Sequence, residues 1–375
     1  MGLWHPGPQP AESPYTLGGG GRPAAPCPEN QEAANVKRYG PAYLIPLTTA
    51  AGLLLGGFWS WLTVALVFVL VPLADRLRGT DPTNPDPPAP SRSPRHDLLL
   101  YGILPVQFAV IALFLHRWDA ADSALVQAGW ILSTGLVCGG SGIVVAHELL
   151  HRRSKVDYWL GKLLLLPALY MHFAIEHVRG HHPRVATDED PASATLGQSI
   201  YHFLPRSIAG QWRSALRLEA DRLRRRGKTP FSADNELWTA VALQGCWLWA
   251  IHAAFGVVTL GAALAVAAVA VGMLEIVNYV EHYGLRRART AEGRYEPVRP
   301  CHSWNSDHAT SRRLLFELPR HSDHHRNAGR AFQTLRSTAD APQLPAGYPS
   351  MILLTLLPPL WFRVMNPRVA AARVA

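Results

Sequence analysis

The chain has 375 residues and a formal net charge of +9, yet only 17% of its residues are charged, so the positive charge is concentrated in a few segments. Its four cysteines, Cys27, Cys138, Cys246 and Cys301, stand far apart and form no CxxC pair. That excludes a disulfide framework, a zinc ribbon and a built-in iron–sulfur electron carrier.

Residues 1–38 are rich in Gly and Pro, including the run Gly18 to Gly21, and lack a basic-then-apolar leader with a cleavage site. They are expected to be a disordered cytoplasmic tail. Crossing a bilayer as a helix takes about 20 apolar residues. Residues 39–55 and 58–73 form two uncharged apolar stretches separated by little more than Gly56-Gly57, which predicts a tight helical hairpin. The connector 76–96 is basic and proline-rich and reads as a loop. Residues 98–115 and 125–146 predict a second hairpin around the acidic turn 118–122, and residues 237–255 and 257–280 a third.

The expected fold is therefore an all-α integral membrane protein: six transmembrane helices in three hairpins, with a histidine-rich helical cap on the cytoplasmic side. Lys and Arg concentrate in the connector 76–96, in 152–155, in 206–228 and at Arg286-Arg287. By the positive-inside rule, this places those segments and the N-terminus in the cytoplasm of a cell whose inner membrane the protein spans. The stretch 158–174 is apolar but lies between two histidine motifs, so it is expected to be re-entrant or interfacial. Residues 350–365 read similarly, and 213–228 reads as a charged surface helix. The membrane-embedded unit is expected over 39–366, followed by a short tail, 367–375.

Nine histidines fall in four short runs: His147 and His151; His177, His181 and His182; His282; and His321, His324 and His325. Residues three or four apart share a helix face. His147/His151, His177/His181 and His321/His324/His325 are each expected to point one way. Neutral imidazole suits zinc, copper, iron and nickel. Nine ligands exceed the four to six of one ion, so two metals are expected, one with four imidazoles and one with five. Glu148, Glu176, Glu281, Asp307 and Asp323 lie in or near these runs and are expected to fix imidazole tautomers and offset the metals' charge. His5, His96, His116, His172, His202, His252, His302 and His308 lack the cluster spacing and are left out; His5 and His96 fall in stretches read as disordered.

HExxH on a helix also describes a zinc peptidase, and a metal transporter is a non-enzymatic alternative. A pair of redox-active irons that uses dioxygen accounts for all nine histidines. A site where the apolar bundle meets the cytoplasm suits an apolar substrate entering from lipid.

At these residues the chain closely resembles the membrane-bound, non-haem diiron alkane 1-monooxygenases, within the histidine-box superfamily of desaturases and hydroxylases. The resemblance rests on His147-Glu-Leu-Leu-His-Arg152, Glu176-His-Val-Arg-Gly-His-His182, Asn278-Tyr-Val-Glu-His-Tyr-Gly284 and Arg320-His-Ser-Asp-His-His325. Asp221–Gly227, His302–Ser306 and Leu344–Pro349 add to it, and it covers about residues 39–365. It implies hydroxylation of the terminal methyl of medium- and long-chain n-alkanes by dioxygen, on two non-haem irons. It further implies electrons from a separate rubredoxin, itself reduced by an NAD(P)H-dependent reductase, with membrane lipid as the other contact and no nucleic acid. Arg152, Arg153, Arg222, Arg224, Arg225 and Arg226 are the candidate docking cations for that acidic donor, and Val67 is a candidate wall of the substrate channel. The alternatives are a xylene-type methyl hydroxylase and a fatty-acyl desaturase or hydroxylase of the same superfamily. Leu150, Arg152, Pro319, Cys301 and the acidic Asp188-Glu189 depart from the family pattern, and none of these departures removes an expected ligand.

Overall fold

The computed structural model describes residues 35–84 and 93–372, and among these only helices and three isolated β-bridges form. Four helices are long and apolar enough to cross a membrane: Gly57–Arg78, Pro94–Ala120, Ala124–Leu150 and Glu236–His282. In chain order the helices are α1 (Leu44–Leu55), α2 (Gly57–Arg78), α3 (Pro94–Arg117), α4 (Ala124–Leu150), α5 (Lys155–Leu165), α6 (173–184), α7 (Ile200–Arg224), α8 (Glu236–His282), α9 (Ala309–Leu314), α10 (His321–Arg326), α11 (Tyr348–Thr355) and α12 (Pro358–Ala372). At 12 residues, α1 is short of a full crossing.

The first hairpin turns on one residue. Gly56 adopts φ 65°, a conformation that a Cβ would strain, so α1 stops there and α2 returns along it. Thr63 Oγ1 lies 3.0 Å from the Thr48 hydroxyl and 2.8 Å from that of Thr49, tying the two helices together. α4 packs across the pair: Trp130 Nε1 donates to the Gly52 carbonyl at 3.0 Å, and Ser133 Oγ donates to that of Ser60 at 2.9 Å. Such bonds contribute roughly 0.6 kcal/mol each inside a membrane, so they set register more than they drive assembly.

α8 carries both segments of the third expected hairpin, and Gly256 (φ 79°) interrupts it between them. The halves fold back on each other, because residues far apart along α8 meet the same short segment. Met171 N–H donates to Gln244 Oε1 at 3.0 Å, and Tyr170 OH donates to Glu275 Oε1 at 3.0 Å. The three turns gather at one end of the bundle. There Trp61 Nε1 donates to the Leu125 carbonyl and the His116 ring meets that of Phe255. Large apolar side chains such as Phe58, Leu54, Trp249 and Val257 project outward, as a lipid-facing surface requires.

The structure adds detail to some local readings and changes others. The stretch 158–174 contributes α5, which packs on α4, and then turns at Leu169 (φ 56°) to come back to the histidine end. The charged helix expected over 213–228 starts earlier, at the Ser199 cap, because Phe203, Ser207 and Gln211 bury a face that a charge count does not register. His96 is not in a loop: α3 begins at Pro94, capped by Ser93, and His96 is buried. α12 runs through the expected boundary at 366, because Trp361, Met365 and Val369 continue one buried stripe at i, i+4 and i+8. Residues 1–34, with most of the expected N-terminal tail, and 373–375, the end of the expected C-terminal tail, lie outside the described residues.

Candidate metal centre

The nine box histidines converge at the end of the bundle opposite the turns, in two groups. His147, His151, His177, His182 and His324 form one; His181, His282, His321 and His325 form the other. Within each group the ligand atoms all lie within 4.8 Å of one another. The groups abut, with the rings of His182 and His325 stacked at 4.3 Å. Eight of the nine are buried, and His151 is partly exposed.

Helix phase explains the membership. α4 delivers His147 and His151 from consecutive α-turns, so i and i+4 share a group, as expected. In α6, residues His177–His181 form a π-turn, which closes at i+5 rather than i+4. It therefore brings His177 together with His182, their Nε2 atoms 3.1 Å apart, and sends His181 to the other group. α10 divides the last run in the same manner: His321 and His325 share one side while His324 faces the other group. The expectation that each run points in one direction fails for these two runs. Two further π-segments, Leu66–Leu70 and Val137–Ile143, interrupt the α-helical hydrogen bonding of α2 and α4.

The spacing suits metal ions. In the five-histidine group, Nε2 atoms lie 3.0 Å apart for His151 and His177, 3.1 Å for His177 and His182, and 3.1 Å for His182 and His324. In the other group the distances are 3.3 Å for His181 and His325, 3.2 Å for His282 and His321, and 2.8 Å for His321 and His325. Nitrogens at about 2.1 Å from a shared ion and at right angles sit about 3.0 Å apart. His147 Nε2 is buried with no hydrogen-bond partner, as a nitrogen reserved for a cation would be. The residues therefore fit transition-metal binding in both groups.

The five expected acids separate. Glu281 reaches an imidazole: its Oε2 lies 3.1 Å from His321 Nε2, and its Oε1 accepts from Tyr348 OH at 2.8 Å. Glu148 instead faces Arg152, which also pairs with Asp97 at 2.7 Å. Glu176 accepts from Arg184, Asp323 binds Arg330 and the Arg336 amide, and Asp307 accepts from Ser337 beside Arg312 and Arg320. Asp190 was missed by sequence reasoning. Its Oδ2 accepts from His181 Nδ1 at 2.9 Å and from Ser193 Oγ at 2.6 Å. Burial pushes its carboxyl up, but His181 and Ser193 more than offset that and hold it below the usual carboxylate range. Burial and the nearby Asp190 charge push Glu176 the other way, upward. No spacing rule marks Asp190, because it sits in a loop nine residues beyond its partner.

Beside the imidazoles lies a narrow apolar cavity. His147, His177 and His321 form part of its wall. Val67, Ile45, Gly140, Leu136, Met273 and Ile352 line its apolar part. Of the docking cations, Arg152 and Arg222 are held in ion pairs and Arg224 pairs with Asp221, while Arg153, Arg225 and Arg226 are exposed. His308 accepts from or donates to Ser306, and His172 stacks on Trp212; neither joins a group.

A family model described as fatty acid desaturase matches residues 123–355. Alkane 1-monooxygenase 2 of Pseudomonas aeruginosa is 42% identical over 358 residues, covering 90% of this chain and 93% of that protein. Alkane 1-monooxygenase 1 of the same organism is 43% identical over 84% of each chain. The xylene/toluene monooxygenase hydroxylase component XylM of Pseudomonas putida is 32% identical over 86% of each. With these relatives, and with the histidine runs folded into two adjoining groups, the chain belongs to the alkane 1-monooxygenase family.

Proposed function

We propose that the protein is a membrane monooxygenase that hydroxylates the terminal methyl group of medium- and long-chain n-alkanes. The observation that carries this reading is the placement of two histidine groups in the wall of an apolar cavity. One oxygen atom of O2 enters the terminal C–H bond to give a 1-alkanol, and the other leaves as water with two electrons and two protons supplied from outside. Two irons, one per histidine group, supply the activation of dioxygen when bound.

The chain's own residues do the rest. The cavity follows α4 from Leu136 to His147, roughly 16 Å of helix, and its walls admit an extended hydrocarbon while offering it almost no polar partner. An alkane is recognised by shape alone, so only confinement can choose one carbon among many similar ones. Val67 on α2 lines this cavity, which supports it as the residue that limits chain length. Burial of the imidazoles excludes bulk water from the oxidant.

The finer topology we propose has six spans, counting α1 as a short crossing and α8 as two helices. The histidine end and the N-terminus face the cytoplasm, and the membrane is the inner membrane. Electrons come from a rubredoxin that docks against the basic histidine face, with Arg153, Arg225 and Arg226 as the free cations.

The test is product analysis under labelled dioxygen, in cells that express the protein with a rubredoxin and its reductase and receive mixed n-alkanes and p-xylene. Terminal alkanols carrying one labelled oxygen are expected. Labelled benzylic alcohol alone would move the protein to the xylene branch, and unlabelled double bonds in cellular lipid would make it a desaturase.

A further inference from the structure

The two groups are unequal in imidazoles, five against four, and one carboxylate lies at the shorter side. Glu281 Oε2 is 3.1 Å from His321 Nε2. That nitrogen is itself 3.2 Å from His282 Nε2 and 2.8 Å from His325 Nε2. It is therefore the atom that His321 turns toward the common centre of its group. A nitrogen that offers its lone pair to a cation carries no hydrogen, and so it cannot donate to a carboxylate. His321 Nδ1, the other candidate donor, has no hydrogen-bond partner. Two buried lone-pair donors at 3.1 Å repel each other unless a cation lies between them. The distance matches the spacing between the imidazole nitrogens of both groups.

Resting on the two-iron reading above, we propose that Glu281 is a direct ligand of the metal held by His181, His282, His321 and His325. Both groups then offer five donors, and one brings a negative charge into a nest of neutral imidazoles. Tyr348 is its positioning residue: its hydroxyl occupies Oε1 at 2.8 Å and leaves Oε2 for the ion. Among the described residues neither side chain makes a further hydrogen bond, and both are buried. The fold supports the pair, because Tyr348 begins α11, which packs against the C-terminal half of α8 that carries Glu281.

The test counts and inspects iron in the purified full chain, by elemental analysis and by Mössbauer spectroscopy of protein grown on 57Fe. The wild type is expected to hold two irons per chain. Glu281→Gln is expected to hold close to one, with the signal of the remaining iron unchanged. Tyr348→Phe is expected to keep both irons and to alter the quadrupole doublet of one. A wild type with two irons, together with a Glu281→Gln variant that keeps both and an unaltered spectrum, would overturn the assignment and leave the two-iron reading intact. A wild type with fewer than two irons would overturn both. If Glu281→Gln fails to accumulate in the membrane, Tyr348→Phe decides: an unaltered spectrum rejects the ligand role.

Discussion

The two histidine groups share a wall but differ in their surroundings. The four-histidine group is fully buried and has two carboxylates on its imidazoles, Asp190 on His181 and Glu281 on His321. Among the described residues the five-histidine group has none at hydrogen-bond distance, and it includes His151, the one box imidazole with appreciable exposure. Negative charge compensates a buried cation locally, whereas a site nearer the surface can leave part of that task to solvent and counterions. Position dictates the donor set: the deeper group needs its own anions, and the shallower one relies on more neutral ligands.

That comparison can be broken most decisively by deleting one ligand from each side. His324→Ala and His282→Ala are each expected to lower alkane turnover by roughly 100-fold or more, since losing even an outer partner of a metal ligand costs about 10- to 100-fold. Each variant should also lose iron while its membrane level stays unchanged. Full activity in either would remove that residue from its group. Asp190→Asn probes only the deeper group. Chelator competition should show one iron bound about 10- to 100-fold more weakly, with the second unaffected; equal weakening of both would mean the groups are not independent. Val67→Trp leaves both groups alone and fills the cavity, so mixed-alkane product profiles should shift toward shorter chains, and an unchanged profile would take Val67 out of the channel. The smallest effect is expected from Glu148→Gln. Although Glu148 lies between two ligands in sequence, it faces Arg152, so iron content should stay at the wild-type level and thermal unfolding should report a loss of only about 1 kcal/mol.

The hairpins and the histidine-bearing ends of helices were legible because apolar run length and Gly56 and Gly256 mark them directly. HELLH was legible too, because it lies in ordinary α-helix and the i, i+4 rule holds. His177, His181 and His182 were identified as residues but misassigned as a face, since nothing in Glu176–His182 announces that the helix closes its turn at i+5. Asp190 and Tyr348 escaped for a different reason. Each reaches the site from a distant loop or helix start, and only tertiary packing brings them there. The acids were judged by proximity in sequence, and that is a poor guide on a helix: Glu148 and Asp323 stand next to ligands yet point to arginines. Among the arginines, the charge pattern could not separate free cations from those already neutralised by Asp97, Glu219 or Asp221.

The turns at Gly56 and Gly256 take up a single residue each, and that at 118–123 only a few. The longer described connections 225–235, 283–308 and 327–347 belong to the other end, and the C-terminal helix closes against it too, with Val369 seated on Gly284 two residues after His282. This sets a rule for engineering the molecule. An epitope, reporter or fused electron carrier has little slack to enter on the turn side, where added chain would pry a hairpin apart. Attached after residue 372, the same cargo starts from the histidine end of the bundle, against which the C-terminal helix packs.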